Sequence, residues 1–257
     1  TSKCLMKCNY QQALEGSIDY SHISFLHKEV DSTADVFGIG EMIRYSDRDG
    51  RPKLFAERTA YGLQIGARRD AGPDEYYWRV ARWLLPCFVL VPTAPGNVSR
   101  ANLFIPIDDK HCWWYRIRWH NERPLTAAEV EGYQHGGFDY ARLVPGTYLP
   151  QGARGNDYLQ DRELQSRSSF TGIPSAQLQD LAIQESQGTV HDRSREKLMA
   201  SDMPIAQCRR ILTEAANRMQ EGQLPPSASQ PELFGGYAHA TTRPRSMGFD
   251  VVRTVSE

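Results

Sequence analysis

The sequence predicts an α+β fold in which an antiparallel sheet wraps on helices. Two observations carry this expectation. From about Leu54 to His120 the chain is rich in aromatic and β-branched residues, broken by short turn signals. On either side lie segments whose apolar residues recur with helical spacing. The 257 residues suffice for one large domain with appendages.

Taken in order, the first helix spans roughly Gln11 to Phe25, where Ala13, Leu14, Ile18 and Phe25 space like one buried stripe. A loop-rich region with the turn signal SDRDGRP follows from Asp31 to Pro52. Four extended runs come next: LFAERTAYGLQIGAR, EYYWRVARWLLPCFVLVP, RANLFIPI and HCWWYRIRWH, separated by DAGPD, TAPGN and DDK. In the last run Trp113, Tyr115, Ile117 and Trp119 point one way. Trp114, Arg116, Arg118 and His120 point the other way, a face that is either solvated or lines a polar cavity. ERPLTAAEVEGY reads as a short helix capped by Thr126, and His135 to Ser175 as irregular. Two helices follow, one around SAQLQDLAIQESQG ending at Gly188 and a longer one from Asp202 to Gln220. The tail beginning EGQLPPSASQPELFGG reads as a linker or arm. The division is therefore a main domain at 1–220 and a C-terminal arm at 221–257. No internal repeat is present.

Composition narrows the function classes. Thirty basic residues face thirty-one acidic ones, and no basic stripe is interleaved with aromatics, so nucleic acid is not an expected partner. The longest strongly apolar run, WLLPCFVLV from Trp83, is far short of a membrane span and contains a proline. The N-terminal TSKCLMKCNYQQ has no apolar signal core. Cys4 and Cys8 form a C-x3-C without a second pair at zinc-finger spacing, so the five cysteines read as the reduced thiols of a cytoplasmic protein. GIG at Gly38 lacks the rest of a dinucleotide fingerprint.

The chemistry concentrates in EGSIDYSHISFLH, which begins at Glu15. Asp19 and His22 stand three apart and would share a helical face. His22 and His27 stand five apart, roughly 140° out of alignment on a regular helix. Both imidazoles reach one ion only if the helix widens, as in a π-bulge, or ends between them. The spacing is not that of H-E-x-x-H zinc enzymes, which need a glutamate beside the first histidine. A third ligand must come from elsewhere, and by residue type Asp180, Glu185 and Asp192 compete equally. Arg68, Arg69, Arg116 and Arg118 are candidates to meet a substrate carboxylate, although surface arginine is the commoner explanation for each.

The pattern E-x3-D-x2-H-x4-H of Glu15, Asp19, His22 and His27 resembles the mononuclear-iron motif of Rieske-type aromatic-ring oxygenases. The wider CNYQQALEGSIDYSHISFLH resembles the branch containing phthalate dioxygenase and the vanillate and dehydrodivanillate O-demethylases. NDYLQDRELQ, SFTGI and QDLAIQESQGTVHDRSREKL are similar to that branch as well, so the resemblance spans Cys8 to about Met219. It implies that His22 and His27 are iron ligands and selects Asp180 as the carboxylate. It implies that Asp19 backs an iron-bound histidine and bridges toward a Rieske cluster across a subunit boundary. Glu15 is left as a supporting or solvated residue.

The resemblance further implies a START-like helix-grip fold, a curved antiparallel sheet gripping a long C-terminal helix. The implied activity is O2-dependent hydroxylation or O-demethylation of a carboxylated or methoxylated aromatic at Fe(II). Electrons would come from a Rieske [2Fe-2S] centre served by an NAD(P)H-dependent reductase or ferredoxin, in a homo-oligomer, a trimer. The C-x-H and C-x2-H ligand pairs of a Rieske cluster do not occur in this sequence, so the cluster is expected on a domain upstream. Two rival readings remain: a metal-free small-molecule binder on the START-like fold, and a zinc-dependent hydrolase.

Overall fold

The computed structural model describes residues 1–28, 40–136, 139–167 and 169–254. Strand β1 (Ser2–Met6) leads into helix α1 (Tyr10–Ile18), whose first turn is capped by Asn9 accepting from the Gln11 amide at 3.0 Å. A one-turn helix α2 (Ile23–Leu26) and helix α3 (Gly40–Arg48) precede the sheet strands β2 (Lys53–Thr59), β3 (Gly62–Asp70), β4 (Glu75–Leu84), β5 (Phe88–Val91), β6 (Ser99–Pro106) and β7 (Cys112–Trp119). Helices α4 (Ala127–Gly132), α5 (Arg162–Arg167), α6 (Ala176–Ser186) and α7 (Met203–Gln220) follow, then β8 (His239–Pro244) and α8 (Phe249–Val252).

The strands form one antiparallel sheet in the order β1-β7-β6-β5-β4-β3-β2, with β8 added against the first half of β4. Two of the four extended runs contain a fold-back. The first reverses between Thr59 and its ladder partner Gly62, which has φ of 142° and would place a Cβ 2.5 Å from the Trp83 carbonyl oxygen. Only glycine fits that turn. The second run ends β4 at Leu84 just before Pro86, which has no N–H for the ladder.

Helices α1 and α7 pack on the sheet, α1 against β5 and β6, α7 against β2 and β3. Leu14 and Ile18 of α1, Leu181 of α6 and Ile211 of α7 meet Leu63, Ile65, Trp83, Phe104 and Trp114 of the strands in one core. Each such side chain contributes about 1.5–3 kcal/mol on burial. This core fixes the distance between the helices and the sheet, and with it the space available for a site.

The α+β expectation therefore holds, with an antiparallel sheet on helices that include the long α7. The structure differs from the sequence expectations at four places. The first helix ends at Ile18 instead of running to Phe25. Asp19 Oδ1 accepts from the Ser21 amide at 2.7 Å, and this local turn removes an N–H from the helical ladder. The stretch expected to be loop contains α3, while 31–39 lie outside the described residues. Strand β1 was not anticipated, because SKCLM is too short to show a period. Within the span expected to be an arm, 239–244 joins the sheet as β8, and Phe249 and Val252 pack with Trp78 and Val80. The capping box of α4 and the start and end of α6 and α7 lie where the sequence signals put them.

Candidate metal centre

His22 and His27 flank α2, one immediately before it and one immediately after. Of the two expected devices, a helix end between them is the one present, because α2 stops at Leu26 with His22 as its N-cap and His27 as its C-cap. Their rings lie 5.2 Å apart between centroids and nearly perpendicular. Asp180, on α6, reaches across with Oδ1 3.2 Å from His27 Nε2 and 3.7 Å from His22 Nε2. One ligand atom from each of the three lies within 4.8 Å of the others. Donors about 2.1 Å from a shared ion and 90–110° apart would stand about 3.0–3.4 Å from one another. The His27–Asp180 separation falls in that range and the His22–Asp180 separation lies just above it. Two imidazole nitrogens and one carboxylate oxygen with open positions are the donor set of non-haem ferrous sites.

The other acids are engaged elsewhere. Glu185 accepts from the Lys7 amide and from Tyr158 Oη, and Asp192 caps a short turn at Ser194. Glu15 is 8 % exposed and is gripped by Arg193 and Arg209, which Glu196 also pairs. It belongs to an ion-pair knot that ties α1 to α7. Asp19 Oδ2 stands 3.4 Å from His22 Nδ1, a buried nitrogen with no closer partner among the described residues.

Charge couples these groups. Burial works against ionised Asp180, but the neighbouring His27 and then His22 hold its carboxyl below the ordinary value. Burial likewise opposes a charged His27, and Asp180 with the Gln179 hydrogen bond outweighs it, so its pKa is raised. For Asp19 burial is again the largest influence, overcome by His22 and by the Ser21 amide, and its pKa is lowered.

On the sheet side the triad opens into a cavity of ≈ 120 Å³ whose polar wall holds Arg79, Arg100, Asn102, Arg116 and Asp139. On the other side His22, Asp19 and Asp180 border a second hollow beside the Glu15 knot. The expectation of surface arginines is overturned for three of the four named. Arg69 is 0 %, Arg116 7 % and Arg118 8 % exposed, whereas Arg68 is half-buried over the Tyr76 ring. The arginine face of β7 is the inward one.

Asp139 sits among Arg100, Arg116 and Arg118 at 3.9, 3.7 and 3.4 Å, and its carboxyl is driven down despite its burial. Burial also lowers the Arg118 pKa to about 10, with Arg116 adding to it. Desolvating each guanidinium costs several kcal/mol, and Asp139 pairs with three of the buried arginines while Asp19 and Asp180 border the same cavity. Arg79 keeps Nε and Nη1 without a hydrogen-bond partner among the described residues.

Sequence reasoning missed Arg79, Arg100, Asn102, Asp139 and Gln179. A signal existed for the first. Alternation puts Arg79 on the same face as Tyr77, Ala81 and Trp83, all buried.

A family model described as LigXa C-terminal domain like matches residues 1–234. The chain belongs to that family. It is 34 % identical over 235 residues to the phthalate 4,5-dioxygenase oxygenase subunit of Pseudomonas putida, covering 86 % of this chain and 52 % of that protein. It is 30 % identical over 245 residues to the 3-chlorobenzoate-3,4-dioxygenase oxygenase subunit of Comamonas testosteroni, covering 90 % and 56 %. The chain spans about half the length of these curated relatives. A crystal structure of the quaternary ammonium Rieske monooxygenase CntA with an inhibitor aligns at TM-score 0.42 and 11 % identity, over 83 % of this chain and 48 % of that one. The resemblance read from the Glu15–His27 motif and the downstream stretches is thus borne out, since these homologues are oxygenase subunits of aromatic-ring dioxygenases.

Proposed function

We propose that this chain is the catalytic part of a Rieske-type aromatic-ring oxygenase in which His22, His27 and Asp180 hold a mononuclear ferrous ion. One observation carries the reading: two imidazoles and one carboxylate converge at an arginine-lined cavity. Ferrous iron bound there supplies O2 activation. The reaction is hydroxylation of an aromatic ring or O-demethylation of a methoxy group.

The chain's residues bind and orient the substrate and exclude water. Ile23, Met42, Ile43 and Val91 offer apolar surface to a ring, and Arg79 and Arg116 offer donors to a carboxylate. The relatives are named for phthalate and 3-chlorobenzoate, both aromatic carboxylates, which supports a carboxylated substrate over one that is only methoxylated. Asp19 borders the outer hollow beside His22, which supports a role in the link to the electron donor. That donor is a Rieske [2Fe-2S] centre on a further domain, fed by an NAD(P)H-dependent reductase or ferredoxin, in a cytoplasmic head-to-tail trimer. No described helix is long and apolar enough to cross a membrane.

The test is anaerobic loading with ferrous iron and metal analysis, followed by hydrogen peroxide with phthalate, benzoate or a methoxybenzoate. Peroxide carries oxygen already reduced by two electrons and so bypasses the Rieske centre. We expect stoichiometric iron and a hydroxylated or demethylated product. Iron-loaded protein that forms no product from any of these acids would count against the oxygenase reading, and protein that takes up no iron would end it.

A further inference from the structure

Gln179 precedes Asp180 on α6 and is 2 % exposed. Its two amide ends are used differently. Nε2 donates to the carbonyl of Ile173 at 3.0 Å, and Oε1 lies 2.8 Å from His27 Nδ1. A carbonyl only accepts, so the amide nitrogen must be the end at Ile173 and the oxygen the end at His27. An amide oxygen also only accepts. His27 Nδ1 must therefore carry a hydrogen, so Nε2, 3.2 Å from Asp180 Oδ1, is the nitrogen that gives up its proton to ligate a metal.

The Ile173 carbonyl is itself held in place. Gly172, at φ 67°, accepts from the Asp161 amide at 2.8 Å and donates its own N–H to the Ser169 hydroxyl oxygen at 3.1 Å. The same loop grips the histidine segment directly, because the Phe170 amide donates to the Lys28 carbonyl at 3.1 Å. Gln179 thus joins His27, the 169–173 loop and the ligand-bearing turn of α6. The two histidines are backed unequally, His22 by the carboxylate of Asp19 and His27 by a neutral amide. A carboxylate behind an imidazole strengthens its donation to a metal, whereas an amide fixes orientation without adding charge.

We propose that Gln179 is a positioning residue that sets the Nε2-ligating tautomer of His27 and keeps that imidazole the weaker of the two donors. The proposal rests on the iron-centre reading above. Its consequence is that the partner of His27 controls metal affinity through its acceptor and the ligand field through its charge.

The experiment titrates cobaltous chloride into the metal-free chain and records the visible d–d spectrum, with circular dichroism to verify folding. Wild type, Gln179→Met and Gln179→Glu are compared. We expect Gln179→Met, similar in length but without the acceptor, to bind cobalt about 10–100-fold more weakly. Gln179→Glu should restore affinity to wild type or better and shift the d–d bands, because its charge pulls on the Nδ1 hydrogen. Wild-type affinity in Gln179→Met would overturn the proposal, as would equal losses in both variants, which mean packing alone. Should Gln179→Met not fold, an unshifted spectrum in Gln179→Glu would overturn it. Wild-type chain that binds no cobalt or ferrous ion would instead sink the metal centre, and this role with it.

Discussion

Asp180 Oδ1 closes on both imidazoles at once, 3.2 Å from His27 Nε2 and 3.7 Å from His22 Nε2. Without a metal each favours the other's charged form, with the His27 pKa raised and the Asp180 pKa lowered. His27 contributes stability that is full below about pH 6.5 and is lost as pH rises through its raised value. Asp180 contributes stability present above about pH 3.9 and lost as pH falls through its lowered value. A metal must displace the His27 proton. Cobalt affinity should therefore fall about tenfold per pH unit below the raised His27 pKa and level off above it. Titrations from pH 5.5 to 8.5 test this, and a flat profile would show that His27 is not a ligand.

Asp19→Asn should keep the metal but lose turnover driven by a reductase and a Rieske protein. The amide oxygen can still accept from Ser21, holding the turn before His22, while the negative charge behind the imidazole is gone. Iron content, reductase-driven rate and peroxide-driven product are the three readings. Undiminished reductase-driven turnover would make Asp19 a structural residue only.

Asp139→Asn should destabilise the fold by about 3–5 kcal/mol, since Arg100, Arg116 and Arg118 lose their shared buried counter-charge. The lowered Asp139 pKa means that its contribution is present above about pH 3.9 and disappears as pH falls through the lowered value. The variant should lose part of the wild-type acid sensitivity in that range. Added phthalate, a source of replacement carboxylate, should raise the variant's Tm more than the wild type's. Thermal melts between pH 3 and 7 provide the check.

Arg79→Met should weaken binding of aromatic acids about 10–100-fold, the loss expected of a charge-assisted hydrogen bond of about 1.5–3 kcal/mol. The uncharged aromatic alcohols of the same shape should be nearly unaffected. Fluorescence or calorimetric titration of both classes separates the two. Equal losses for acids and alcohols would mean that Arg79 serves the cavity wall through packing over Tyr20 instead.

Local signals were sufficient wherever the physics is local. The Thr126 cap of α4 and the aromatic alternation of β7 need only neighbouring residues, and the structure has them in place. The histidine pair was visible for the same reason, as two ligand types in one short segment, and family resemblance completed the set with Asp180. What residues alone left open was which of Asp180, Glu185 and Asp192 faces the histidines. That depends on how α6 rotates against α1, a matter of packing between Leu181, Leu14 and Ile18. The break after Ile18 also escaped the periodicity, because Asp19 satisfies the Ser21 amide with its own side chain. Above all, arginine in a strand reads as solvent-facing until the sheet is covered. Only the chain packed over the sheet turns Arg79, Arg100 and Arg116 into the wall of a cavity, because burial belongs to the assembled layers and not to any single strand.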